Sequence, residues 1–125
     1  MSDGRDIGKI GWIDISVDDA TGLRDFYSDV VGWKSEDVSM GDYADYSMTM
    51  PGTGDVVTGI CHARGTNADL KGGWLVYITV ADVQASAAAC VANGGKLIVE
   101  PRSLAGGQFC VIEDPSGATA ALYQA

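Results

Sequence analysis

A chain of 125 residues with 46% apolar content is an ordinary size for one domain and can bury a real core. Its net charge of −9, with only eight Lys or Arg, excludes the clustered positive surface that nucleic acid or an anionic membrane demands. The same charge would draw a cationic ligand, or simply keep the protein soluble.

Met1–Asp6 is polar and acidic, which predicts a disordered start and no signal peptide. No apolar run is long enough to span a bilayer. Lys9–Val17 reads K-I-G-W-I-D-I-S-V. Trp12, Asp14 and Ser16 alternate with Ile13, Ile15 and Val17, which is strand periodicity with the Ile/Val set facing a packed helix. Asp18-Asp19 offers a helix N-cap, and Leu23, Phe26, Tyr27, Val30 and Val31 form one helical face that Gly32 ends. Three strands follow at Trp33–Val38, Tyr43–Met50 and Val56–His62, the last two split by the turn at Pro51-Gly52-Thr53-Gly54.

Ala63–Lys71 is a polar connector, and then the pattern restarts. Trp74–Val80 reads as a strand, Asp82 caps a helix bearing Val83, Ala87, Cys90 and Val91, and Asn93-Gly94-Gly95 ends it. Strands are predicted at Lys96–Glu100, Gln108–Ile112 and Ala118–Tyr123, with a turn at Glu113–Gly117. The halves superpose at an offset of 63: Ile15 on Ile78, Asp19 on Asp82, Gly32 on Gly95, Gly54 on Gly117 and Tyr46 on Phe109. The identities fall at caps, helix stops and turns, so the reading is a duplicated βαβββ unit. Cys61, Cys90 and Cys110 form an odd set without a CxxC pair. They read as free thiols in apolar segments and imply a reducing, cytoplasmic setting.

Gly11–Trp33, with its strand, V-x-D, Phe-Tyr helix and Gly-Trp exit, resembles the opening of a vicinal oxygen chelate protein. Glu113–Gln124 resembles the closing D-P-x-G turn and last strand of that superfamily, which includes glyoxalase I, bleomycin-resistance proteins and extradiol dioxygenases. The resemblance covers nearly the whole chain. It implies an α+β fold in a single domain, 1–125, with modules at about 8–62 and 72–124. Each module would curl a mixed sheet around a cleft, and a homodimer is the expected assembly.

In that superfamily the cleft usually holds a divalent metal on inward-facing His, Gln or Glu, where it acts as a Lewis acid. The resemblance places the first-strand ligand five residues before the V of V-x-D, at Trp12, with Leu75 as its counterpart. It places the closing-strand ligand at Ala121, which the offset maps to Thr58. None of the four is a credible ligand, and Thr58 is a poor one at best. No cofactor is therefore expected, with a divalent metal as the alternative.

The single histidine, His62, reads as a ligand, a base or a strand-end residue. Neighbouring Cys61 and His62 point to opposite faces of a strand and cannot share a metal. Asp14 and its counterpart Tyr77 could project into the cleft, although Asp14 could equally meet a basic side chain or a subunit. Tyr46, Met48 and Phe109 would line an apolar pocket or form ordinary core. The glycines at Gly52–Gly54 and Gly106-Gly107 lack the helix start and lysine of a phosphate loop, and no Ser-His-Asp or Cys-His set is defensible.

The leading expectation is a metal-free module binding a cationic or flat aromatic small molecule. Asp14 would supply charge, Trp12 or Phe109 would stack, and Tyr46, Met48, Thr58, His62, Tyr77 and Ala121 would line the site. The alternative is a metal-dependent lyase, isomerase or dioxygenase resembling glyoxalase, holding its ion with Asp14 and His62. A subunit with a vestigial cleft is the third reading, so catalysis is left open.

Overall fold

The alternation in the first apolar segment forms strand β1, Ile10–Val17. The computed structural model describes residues 4–70 and 73–125, so Lys71 and the first three residues of the predicted disordered start lie outside it. Gly4–Asp6, also expected to be disordered, forms a short 3-10 turn. The remaining elements are α1 (Ala20–Val31), β2 (Lys34–Ser39), β3 (Ala44–Thr49), β4 (Val56–His62), β5 (Gly73–Thr79), α2 (Val83–Ala92), β6 (Lys96–Leu104), β7 (Gly107–Glu113) and β8 (Thr119–Gln124). A 3-10 turn at Gly65–Asn67 interrupts the polar connector.

The chain divides into two compact units. The first is Ile13–Trp74, and the second joins the residues up to Trp12 with Leu75–Ala125. In the first unit the strand order is β2-β3-β4-β1, with β1 and β4 parallel and the other neighbours antiparallel. The second has the order β5-β8-β7-β6, with β5 and β8 parallel. Each is therefore a βαβββ module with a four-stranded mixed sheet.

One face of each sheet is covered by its helix. The Asp19 carboxylate accepts from the Gly22 amide at 2.9 Å, and Gly32 ends α1 with a φ of 81°, a conformation that favours glycine. Ala20, Leu23 and Tyr27 then pack on Ile15, Tyr46, Met48 and Ile60. Tyr27 also meets Trp33 and Trp74, with ring centroids 5.5 and 5.6 Å away, which fixes the end of the helix. In the second unit the Asp82 carboxylate accepts from the Gln84 and Ala85 amides. Val83 and Ala87 of α2 pack on Cys110 and Leu122, with Ile78, Val80, Leu97 and Ile112 alongside.

The register corrects the expected correspondence of the halves. Asp14 pairs with Gly59 and its counterpart Tyr77 pairs with Ala121, so Ala121 corresponds to Gly59 and not to Thr58. Likewise Ser47 pairs with Gly59 as Val111 pairs with Ala121, so Phe109 corresponds to Asp45 and not to Tyr46. The cause is local. Met48 opposes Thr58 and Thr49 opposes Val56, which leaves Val57 as an extra residue in β4. A bulge of one residue turns the following side chains over relative to the repeat.

Strand β6 also runs farther than expected, past Glu100 and through Pro101 to Leu104. It lies at the margin of its sheet, where a proline costs no ladder bond, and two register shifts at Leu97/Val99 and Val99/Arg102 accommodate it. The following hairpin pairs Leu104 with Gly107 around Ala105 (φ 50°) and Gly106 (φ 82°). Positive φ at both central positions suits Asn-Gly better than Ala-Gly, because alanine in the left-handed region costs about 1 kcal/mol. Ala105→Asn is expected to stabilise the chain by about 0.5–1 kcal/mol in urea unfolding. An unchanged midpoint would show that the turn carries no strain.

Candidate functional site

The face of each sheet away from its helix is where a ligand would be handled. In the first unit Ile15, Tyr46, Met48 and Ile60 point to the helix, so Asp14, Ser16, Asp45, Ser47, Gly59 and Cys61 fall on the other side. Glu36 lies across from Ser47 and joins them. This face is polar although Ser16 and Asp45 are only 4% and 5% exposed.

Three residues expected to line the site lie instead on the helix side. Met48 is buried in the core there. Tyr46 donates or accepts a 2.7 Å hydrogen bond with the Thr21 hydroxyl, and the Arg24 guanidinium stands 4.6 Å from its ring centroid. Thr58 donates its hydroxyl to the Ile13 carbonyl. The bulge at Val57 puts Thr58 there, and with it Gly59 on the opposite face.

His62 and Asp45 finish the β3–β4 ladder by exchanging roles with the backbone. The His62 amide donates to the Asp45 carboxylate at 2.8 Å, and His62 Nδ1 donates to the Ala44 carbonyl at 2.9 Å. A carbonyl only accepts, so the Nδ1 proton is fixed by its partner. Tyr43 packs edge-on against the imidazole at 5.6 Å between centroids, and Arg64 caps the Tyr43 ring at 4.1 Å. Of the three roles open to His62, this geometry supports the strand-end one.

Burial, then the charges of Asp45 and Asp14 and a hydrogen bond to Asp45, push the Cys61 thiol up to about 12. Burial, then its neighbour Cys90, also raises Cys110. Neither thiol is a nucleophile at neutral pH, because the thiolate is the reactive form.

The second unit presents an apolar counterpart. Cys110, Leu122, Ile78 and Ile112 face α2, which leaves Leu75, Tyr77, Phe109, Val111 and Ala121 on the other side. Tyr77 and Phe109 stack at 6.4 Å between centroids, and the Arg102 guanidinium lies 5.2 Å from the Phe109 centroid. Tyr77, Phe109 and Ala121 are buried, while Trp12 is 38% exposed.

The residues present do not fit a divalent metal. With the register corrected, the four strand positions carry Trp12, Gly59, Leu75 and Ala121. An indole N–H only donates, and the other three have no side-chain donor atom. Ser16 pairs with Cys61 and Val17 with His62, so Asp14 and His62 lie on opposite faces and cannot share an ion. Among the described residues, no group of three or more His, Cys, Asp or Glu is arranged to hold one.

Comparison with known proteins fits this fold. Residues 9–122 match the model of the Glyoxalase/Bleomycin resistance protein/Dioxygenase superfamily. The chain belongs to that superfamily. It is 30% identical over 121 residues to "Putative glyoxylase CFP32" of Mycobacterium tuberculosis, covering 94% of this chain and 46% of that protein. It is 26% identical over 111 residues to "Anthracycline biosynthesis protein DnrV" of Streptomyces peucetius, covering 89% of this chain and 39% of that protein. The chain thus spans less than half the length of these relatives. Among solved structures, the Mn(II)-bound glyoxalase of Novosphingobium aromaticivorans shares the fold with a TM-score of 0.58 at 20% identity, over 94% of this chain and 39% of that one. Methylmalonyl-CoA epimerase of Mycobacterium tuberculosis does so with a TM-score of 0.54 at 18% identity, over 99% of this chain and 92% of that one.

Asp45→Ala leaves the His62 amide buried without its acceptor, and a loss of about 1–3 kcal/mol in urea unfolding is expected. Asp45→Asn keeps an acceptor oxygen and should lose less. An alanine variant as stable as the parent would mean that the carboxylate does not hold the ladder end. Iodoacetamide at about pH 8 should leave Cys61 and Cys110 unmodified in the folded chain and label all three thiols in urea, read by mass spectrometry. An adduct on Cys61 in the native chain would contradict its protonated state.

Proposed function

We propose that this chain binds a small organic molecule and does so without a metal ion. The observation that carries the reading is the side-chain chemistry at Trp12, Gly59, Leu75 and Ala121, which supplies no ligand at the positions where the superfamily usually binds metal. Superfamily membership supplies the small-molecule part. Asp14 supports a cationic ligand group, and the stacked Tyr77–Phe109 pair of the second unit supports an aromatic one. A relative named for anthracycline biosynthesis is consistent with flat ring systems.

A metal-dependent lyase, isomerase or dioxygenase is the second reading, favoured by the relative named as a glyoxylase. Plasma mass spectrometry of freshly purified protein separates the two. Sub-stoichiometric metal that washes away, together with saturable quenching of tryptophan fluorescence by organic cations or fused-ring aromatics, is the expected result. About one tightly held Ni, Zn, Mn or Fe per chain would overturn the metal-free reading.

A further inference from the structure

Helix α2 reads V-Q-A-S-A-A-A-C-V-A and carries no charged residue. Its inner face packs on Cys110 and Leu122, yet Val91 is 57% exposed and Ala88 is exposed as well. A helix without a charged face is ordinarily covered all round. Along its outer flank runs an open groove of about 420 Å³, walled by Ala87, Ala88 and Val91 of the helix and by Leu97 and Pro101 of β6. That volume falls in the range of small-molecule sites.

Two features of the sequence make the space. The alanines at 87 and 88 leave it unfilled from the helix side. On the strand side, Val99 pairs with Val111 and Arg102 with Phe109, so Glu100 and Pro101 together oppose Cys110 alone. A two-against-one bulge re-aims side chains. Cys110 faces α2, and both bulged residues border the groove.

The groove has a direction. Cys90 Sγ lies 3.8 Å from the Lys96 carbonyl, so the last turn of α2 sits beside the start of β6 and the two elements run in opposite directions. Val91 therefore lies toward Leu97, at an apolar end, and Gln84 toward Glu100, at a polar one. Residues 84–91 of the helix and 97–100 of the strand each span about 10 Å, so the two walls match in length.

The polar end has acceptors to spare. The Glu100 carboxylate and the Gln84 side-chain amide make no hydrogen bond or ion pair among the described residues. The two basic residues of β6 are engaged elsewhere: Lys96 pairs with Glu113 at 3.7 Å, and Arg102 lies over the Phe109 ring on the other face of the sheet. One carboxylate does not hold a divalent ion well, but it does attract a single positive charge, the more so in a chain of net charge −9.

We propose that this groove binds a linear primary amine. The alkyl chain lies along Ala87, Ala88 and Leu97, and the ammonium donates to the Glu100 carboxylate, with the Gln84 amide oxygen as a second acceptor. This site goes beyond the proposed function, because it stands on the helix side of the second unit, away from Tyr77 and Phe109.

The test is a titration of the 15N-labelled chain with hexylammonium, hexanol and hexanoate, followed by amide resonances. Saturable shifts at Ala88, Val91, Leu97 and Glu100 are expected with hexylammonium, weaker binding there with hexanol and none with hexanoate. Glu100→Gln removes the charge and should weaken hexylammonium about three- to tenfold, to the level of hexanol. Ala88→Phe fills the groove from an exposed position and should abolish the shifts while the rest of the spectrum stays that of the parent fold. No saturable shift with hexylammonium, equal binding of hexanol, an unchanged hexylammonium affinity in either variant, or shifts confined to residues outside the groove would overturn the proposal. So would shifts at the same residues on raising the chain concentration without a probe, which would assign the groove to a second copy. Each of these failures leaves the metal-free ligand-binding reading standing, because that reading is tested by metal content and tryptophan quenching.

Discussion

Val57 is one residue more than the β3–β4 ladder can pair, and the chemistry of the first unit depends on where that residue goes. The bulge swings Thr58 toward the helix, where its hydroxyl is used up on the Ile13 carbonyl. It brings Gly59 and Cys61 to the opposite face, beside Asp14 and Ser16. Without the bulge, a threonine would stand where the glycine is, between Asp14 and Ser47, and that face would carry a branched side chain there. A single backbone irregularity thus decides which residues that face presents.

The two units show how one βαβββ plan can serve different ends. The helix sides are alike: Ile15, Met48 and Ile60 under α1 correspond to Ile78, Ile112 and Leu122 under α2. The other faces diverge. The first collects carboxylates and hydroxyls, while the second collects Leu75, Tyr77, Phe109 and Val111. Helix-side packing is a generic demand of burying apolar surface. The opposite face is freer to vary, and there the duplicated halves have become chemically distinct.

Much of the fold was legible because the signals were local. The Asp19 and Asp82 caps, the Gly32 stop and the alternation in Ile10–Val17 each depend on a few adjacent residues. The candidate site was legible only in part. Asp14 and the poverty of ligating atoms at Trp12, Leu75 and Ala121 followed from strand alternation and resemblance. Thr58 follows from an offset anchored on Gly54 and Gly117, whereas Tyr46 and Met48 are chosen because aromatic and Met side chains suit flat ligands. Those glycines record turn geometry, and Val57 intervenes between Gly54 and the rest of β4. The offset therefore misses Gly59, and the preference for aromatic and Met side chains hides Asp45 and Ser47, although A-D-Y-S-M-T sets them against Tyr46 and Met48. The Asp45–His62 exchange lay further out of reach, because it joins residues 17 positions apart.

Strand β6 carries a consequence for the behaviour of the chain in a crowded solution. It ends its sheet, and such a margin ordinarily offers a row of amides and carbonyls on which a foreign strand can be templated. Here Pro101 removes one donor, and the two register breaks tilt the groups on either side of it out of line. A neighbouring chain would find no straight run of matching bonds to zip along. That side of the molecule is guarded against fibrous growth, and contacts made there must rely on side chains such as Ile98 and Glu100 instead of on backbone pairing.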